Sequence, residues 1–310
     1  MVNPSRIKPK RLLKIKPPKK KTSPGEKVFS AINVILLIGL AITMIYPMYY
    51  IIVLSFNDGA DALKGGIWLF PRVFTLDNYK MVFANDQLLT AFGMSVARTV
   101  IGTIVSVILI AMMAYALAIK ELPGRRAFNK FFFFTTIFSG GMIPTISLLN
   151  RLDLLDNPLV YILPAIYSFY NMLLVRTSFE ATPKALREAA LMDGVSEWKI
   201  FWKVYMPLNK PVLATVALFT AVFHWNDWFA GSYYISTDWM KPAATILQEM
   251  LAEALGNLSN ASATGGAAIT TTAQTLQMAF VVVITFPIMI VYPFLQKYFT
   301  QGAVVGSIKE

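Results

Sequence analysis

Apolar residues in this chain come in long blocks separated by short polar stretches. A helix that crosses a bilayer needs about 20 mostly apolar residues, within a range of roughly 17–25. Six windows meet that requirement: Val28–Leu54, Phe92–Ala118, Phe131–Leu149, Leu159–Val175, Val212–Tyr233 and Met278–Phe299. The first is longer than the roughly 7–15-residue apolar core of a secretory signal, and no small-x-small cleavage site follows it. It is therefore read as a retained helix. The expected fold class is all-α: a polytopic membrane protein with six transmembrane helices.

Composition changes the picture by what it excludes. Of 310 residues, 56% are hydrophobic and 15% charged, with a mean hydropathy of +0.55. Soluble domains carry about 25% charged residues. A soluble enzyme and a disordered protein are both excluded, and the solvent is a lipid bilayer. The net charge of +11 matters through its placement. Ten of the 28 Lys/Arg precede Val28, four lie in 119–130, six in 176–210 and two from Lys297 onward. Five lie on the other side: Lys64, Arg72, Lys80, Arg151 and Lys241. Lys and Arg are retained on the cytoplasmic side. Both termini and the segment 176–210 are accordingly expected there. Residues 1–27, rich in Lys and Pro, read as a basic disordered tail that touches anionic lipid. Aromatic residues do not interleave with those lysines, so nucleic acid is not an expected partner. The domain expectation is a tail over 1–27, a six-helix unit over 28–299 and a C-terminal tail over 300–310.

The sequence has no cysteine and one histidine, His224. That removes disulfides, thiolate chemistry and Cys-ligated zinc, and no metal site is expected. No G-x-x-x-x-G-K-[ST], H-E-x-x-H or G-x-S-x-G occurs, so no nucleotide cofactor and no catalytic residue is assigned to this chain. Apart from Lys297 at the end of the last window, ionisable groups within the windows are scarce: Arg98, His224 and Asp227. A proton-coupled pump normally needs more of them. Arg98 is expected to snorkel or pair with another helix, Asp227 being one partner to test. The halves show no internal repeat, which weighs against an inverted-repeat transporter.

The segment 176–210 is too long for a turn. Thr182 and Pro183 look like a helix start, Lys184 to Asp193 like a short helix, and Gly194 like its left-handed stop. Ser196 begins a second helix through Tyr205, ended by Pro207 and Pro211. Leu186, Ala189 and Ala190 share one stripe beside Arg187 and Glu188. Two readings remain open on these residues alone: docking into a groove of another protein, or lying on the lipid interface.

Glu188-Ala189-Ala190, then Asp193-Gly194, Phe201 and Pro207 closely resemble the EAA motif of ABC importer permeases. Gly140-Gly141-Met142-Ile143-Pro144, Asn157-Pro158-Leu159, His224-Trp225-Asn226-Asp227-Trp228-Phe229 and the ending Tyr292-Pro293-Phe294 through Lys309 resemble the carbohydrate permeases of that class, in their MalG-like, LplC-like branch. The resemblance implies an elbow at about 182–207 whose helix seats in a separate ATPase, with Glu188, Ala189, Ala190, Asp193 and Gly194 as ATPase-coupling residues. It implies two ATPase subunits that hold ATP and Mg, a second and different permease subunit, an extracytoplasmic binding protein, a saccharide cargo and a multi-pass place in a bacterial cell (inner) membrane. Trp225, Asn226, Asp227, Trp228, Gly140 and Gly141 are the candidates for the substrate path, although an interfacial aromatic belt explains the tryptophans equally. The small residues Gly102, Ser106, Ala114 and Ala118 suit close helix packing, within this subunit or against the second permease. The stretch Ser259–Thr272 reads as a flexible loop. Rivals from other classes are a self-contained secondary transporter or channel, and a permease for a non-sugar solute.

Overall fold

The computed structural model describes residues 24–264 and 271–307, with side chains described over 24–253, 274–291 and at 293. Among these residues every regular element is helical, and strand-like pairing is confined to one isolated antiparallel bridge, Asn57 with Phe74. The described residues fall into two compact units that divide between Tyr49 and Tyr50. In the first, helix α1 (Pro24–Ser55) starts on a proline, whose missing N–H is harmless in a first helical turn. Pro24–Lys27, expected as the end of the tail, form that turn; the tail before them lies outside the described residues. From Val28 to Ile45 the side chains are exposed around the helix, and all but Ser30, Asn33 and Thr43 are apolar. Such a helix suits lipid, because three scattered polar residues leave no continuous polar face for water.

In the second unit, α2 (Gly59–Ala62) and α3 (Asp77–Ala84) lead into α4 (Asp86–Ala118). Asn85 caps α4 by accepting from the backbone N–H of Gln87 and Leu88 at 3.0 and 3.2 Å. α5 (Arg125–Ile137) and α6 (Met142–Arg151) follow, then a 3-10 turn (Pro158–Tyr161) and α7 (Phe169–Ala181). Next come α8 (Lys184–Met192), α9 (Glu197–Ile200), a π turn (Phe201–Tyr205) and α10 (Met206–Leu208). α11 (Lys210–Asn226), α12 (Phe229–Tyr234), a second 3-10 turn (Asp238–Met240), α13 (Ala243–Thr264) and α14 (Thr271–Ser307) complete the order.

Among the described residues three helices are long and apolar enough to cross a membrane, or up to five if each of two bent pairs counts as one span. The differences from the sequence windows have local causes. The third window breaks by 115° between α5 and α6, where Gly141 takes φ +85° and ψ 178°. The fourth is not one helix: it opens as a 3-10 turn and becomes α-helical only at Phe169, past Pro164. The fifth stops at Asn226, because Asp227 adopts an extended conformation and starts α12. The stretch read as a flexible loop is helical as far as Thr264 and again from Thr271; 265–270 lie outside the described residues. α14 continues through 300–307, leaving 308–310 outside the described residues.

α4 is the centre of the second unit, packing on α7, α11 and α13. Of the small residues picked out by their spacing, Gly102, Ser106 and Ala114 pack within this chain, and Ala118 is only partly buried. Ser106 and Ala114 are fully buried in this subunit, and the His224 ring of α11 lies directly on Gly102. A Cβ added at Gly102 would fall 2.5 Å from His224 Nε2. Toward one end of α4, Ile110, Ala114, Met172, Phe179, Phe201 and Val216 pack into one cluster. Toward the other end, Leu88, Trp225, Ala243, Ile246 and Phe280 form a second.

Gly102→Ala should therefore destabilise the purified protein by about 1–3 kcal/mol through overpacking. Gly93→Ala, on the same helix with nothing within 4 Å of the new Cβ, should be neutral or mildly stabilising. Thermal unfolding of the two variants in detergent checks the contrast; equal behaviour would contradict the close α4–α11 packing.

Candidate functional site: the elbow and the rim

The elbow begins where α7 ends. Thr182, expected to cap α8, does not: its hydroxyl donates to Ser178 O at 3.4 Å and accepts from Asn209 Nδ2 at 3.2 Å. The reason is Asn209, a buried amide at the 85° bend between α10 and α11. It also donates to Tyr205 O at 2.9 Å and accepts from Ser178 Oγ at 2.6 Å. The Pro183 carbonyl takes the first α8 bond instead, accepting from Leu186 N.

α8 stops in a Schellman arrangement. Gly194 has φ +73°, its N–H reaches Leu191 O at 3.0 Å, and the Val195 N–H reaches Ala190 O at 3.0 Å. Val195 and Ala190 both pack against the core, which fixes the roll of the helix. Ala190 thus turns inward, while Glu188, Ala189 and Asp193 are exposed with Ala185 and Leu186. Met192 stands out from the same face with 88% of its surface exposed. Ser196 occupies the cap position of α9 without a side-chain cap bond.

One anchor had no sequence signal. Arg187 of α8 pairs with the Glu197 carboxylate of α9, which also accepts from the Tyr115 hydroxyl of α4. Arg187 Nε adds a second contact to Glu197 at 3.3 Å. The elbow is thereby tied to α4 across 82 residues of sequence. Nothing in the local spacing of Tyr115 and Glu197 announces that pairing.

The other end of α4 carries the second cluster of interest. Arg98, its side chain 1% exposed, donates to the Asp227 backbone carbonyl at 2.8 Å and pairs with the Asp227 carboxylate. The same carboxylate accepts from Phe229 N at 3.0 Å and Ala230 N at 3.3 Å, capping α12. The Arg98 guanidinium lies 4.4 Å from the Tyr161 ring centroid, and the Tyr161 hydroxyl donates to Met240 O at 2.9 Å. Asp156 completes this rim: its carboxylate accepts from Ser236 N, Thr237 N and the Thr237 hydroxyl at 2.9, 2.9 and 2.6 Å. Asp156 has φ +53°, a conformation that asparagine and aspartate tolerate best among side chains with a Cβ.

The substrate-path candidates separate in space. Trp225 is buried, edge-on to Phe92 at 5.8 Å, and offers no free face to a solute. Asp227 faces Arg98. Asn226 and Trp228 are exposed on the rim, Trp228 beside Phe229 and Tyr233. Gly140 and Gly141 are exposed at the α5–α6 break, where the Gly141 carbonyl accepts from the Thr145 hydroxyl at 2.8 Å.

The Asp156 clasp gives a pH prediction. Bonds from the Thr237 hydroxyl and backbone, outweighing partial desolvation, hold its carboxyl below the ordinary value of 3.8. A lowered folded value means that the clasp contributes fully above 3.8 and is lost as pH falls through the depressed value. Amide protection at Ser236 and Thr237 should be flat from neutral to mildly acidic pH and fall only in strong acid. Asp156→Ala should lose that protection at every pH; unchanged exchange would contradict the clasp.

Comparison with known proteins bears on both regions. Residues 127–304 match the family model described as "Binding-protein-dependent transport system inner membrane component". Protein LplC of Bacillus subtilis (strain 168) is 38% identical over 286 residues, covering 91% of this chain and 95% of that protein. The polygalacturonan/rhamnogalacturonan transport system permease protein YtcP of the same organism is 35% identical over 269 residues, covering 87% and 94%. A solved bacterial ABC transporter involved in the import of the acidic polysaccharide alginate contains a chain that superposes with a TM-score of 0.81 at 32% identity, covering 90% of this chain and 99% of that one. With elbow, rim and most of the helical frame inside these matches, the chain belongs to the binding-protein-dependent transport system inner membrane component family.

Proposed function

We propose that this chain is the transmembrane permease subunit of an ATP-driven bacterial importer that moves an oligosaccharide delivered by an extracytoplasmic binding protein. It is a transport subunit and not an enzyme. The observation that carries the reading is α8: a short helix with an exposed small-residue face and a protruding Met192, started on the Pro183 carbonyl, stopped at Gly194 and held at its flank by the Arg187–Glu197 pair. A helix fixed so firmly yet left bare suits seating in a cleft of another protein. The saccharide class draws support from relatives whose names carry polygalacturonan/rhamnogalacturonan and alginate.

In this reading two ATPase subunits hold ATP and Mg, and this chain holds neither. A second, different permease subunit completes the pathway. α1, α4, the α5–α6 pair, the segment ending in α7, α11 and α14 make six crossings, with both termini and the elbow in the cytoplasm, as the Lys/Arg distribution favours. Closure of the ATPases moves α8, and the bend at Asn209 passes that movement to α11. Glu188, Ala189, Ala190, Asp193 and Gly194 form or shape the coupling helix. Asn226 and Trp228 present an amide and a ring to the sugar at the outer rim, while Trp225 and Asp227 support them from behind; Gly140 and Gly141 let α5 turn sharply beside the path.

Co-purification with a nucleotide-hydrolysing subunit, and ATP hydrolysis by the reconstituted complex stimulated by binding protein loaded from a panel of acidic and neutral oligosaccharides, test this reading. Stimulation by at least one saccharide is expected. Uptake driven by an ion gradient without any ATPase would overturn it. Gly194→Val forces a β-branched residue to positive φ, a strain of about 1–3 kcal/mol. That variant and Glu188→Lys should insert normally yet lose assembly or stimulated hydrolysis. A cysteine at Asp193 should be shielded from an impermeant reagent added outside, whereas one at Ser236 should react; the reverse pattern would contradict the topology.

A further inference from the structure

The two exposed rim residues, Asn226 and Trp228, flank one whose acceptors are all turned inward. Asp227 gives its backbone carbonyl and one carboxylate oxygen to Arg98, and its other oxygen to the first two N–H groups of α12. Because Asp227 ends α11 and caps α12, whatever fixes it fixes the angle at which both neighbours leave the helix. Arg98 does so, and reaches further. Through its stack on Tyr161, and the Tyr161 bond to Met240 O, the same guanidinium holds the turn at Pro158–Tyr161 and the turn at Asp238–Met240. One turn along α4 from Arg98, the His224 ring closes on Gly102 and leaves the end of α11 no room to roll. With 1% of its side chain exposed, Arg98 cannot meet a solute. A lone cation at this depth would be expensive, yet here it is paired, stacked and shared among three segments.

We propose that Arg98 is a positioning residue for transport: it sets the orientation of Asn226 and Trp228 through Asp227 without contacting the sugar. The inference rests on the reading of those two residues as the solute face of an importer. A guanidinium suits the task better than an ammonium because its planar fork engages the carbonyl and the carboxylate together. Exchanging the two charges is a poor test, since an arginine at 227 has no acceptor for the α12 N–H groups.

The discriminating experiment is a double-mutant cycle between Arg98→Met and Trp228→Ala, with Asn226→Ala alongside. Saccharide uptake is measured as half-saturation and maximal rate, per assembled complex and per ATP hydrolysed. Each single variant should lower uptake per ATP by about tenfold at limiting sugar, and the double variant should be little worse than either single one. Arg98→Lys should recover part of the loss, and Asp227→Asn, which keeps the α12 cap but not the charge, should resemble Arg98→Met. Losses that multiply in the double variant, or a fall in assembled complex with uptake per complex unchanged, would make Arg98 a structural residue only. Normal uptake by Arg98→Lys together with Asp227→Asn would overturn the proposal even if Arg98→Met failed to fold. Silence of Trp228→Ala and Asn226→Ala with loss in Arg98→Met would overturn the solute-face reading, and the positioning role with it.

Discussion

A guanidinium among membrane-crossing helices has no water to fall back on, so its neighbours must supply every partner it gets. In this chain that requirement shapes one whole end of the molecule. Arg98 needs a carboxylate, and Asp227 meets it by leaving α11 at Asn226 instead of continuing the apolar run to Tyr233. The early stop frees two N–H groups of the next helix, which the same carboxylate caps. The flat face of the cation needs cover, and Tyr161 gives it from a turn that interrupts the fourth apolar window. Breaks that would weaken an isolated span are here the places where a buried charge finds its partners, through both terminal nitrogens of Arg98 and not through its Nε.

The elbow obeys the same accounting with neutral groups. The bend at Asn209 exposes backbone acceptors and side-chain hydroxyls to an apolar surround, and one buried amide collects Ser178, Thr182 and Tyr205. Thr182 is thereby taken from α8, whose start depends on the Pro183 carbonyl. The C-terminal end of α8 is held by the Gly194 stop and the Val195–Ala190 contact, and its flank by Arg187–Glu197–Tyr115. What remains outside is one face: Ala185, Glu188, Ala189 and Met192. α4 runs between the two regions, carrying Tyr115 near the elbow and Arg98 near the rim.

Much of this was legible in the residues. Apolar block length located α1, α4 and α14, since a run longer than about 17–25 residues has few homes other than a bilayer. Gly194 was legible because only glycine takes φ +73° cheaply, and Glu188-Ala189-Ala190 because the motif is contiguous. The broken third and fourth windows were not: hydropathy averages over Gly141 and Pro164 and sees only apolar length. Asn209, a polar residue two positions before Pro211, was a local signal of the bend. Glu197–Tyr115 and Arg98–Tyr161 depend on packing between segments distant in sequence and left no local trace. The rim run His224–Phe229 looked uniform in sequence, yet helix rotation buries His224 and Trp225 and exposes Asn226 and Trp228.

The proposed seating of a partner ATPase on the bare face of α8 is tested most directly by the reactivity of a single cysteine at Met192 in this otherwise cysteine-free chain. A cytoplasm-accessible maleimide should label Met192→Cys rapidly in the permease alone and slowly once the ATPase subunits are assembled, with a control cysteine at Lys130 labelled equally in both. Equal labelling of Met192→Cys in the free and assembled states would contradict it.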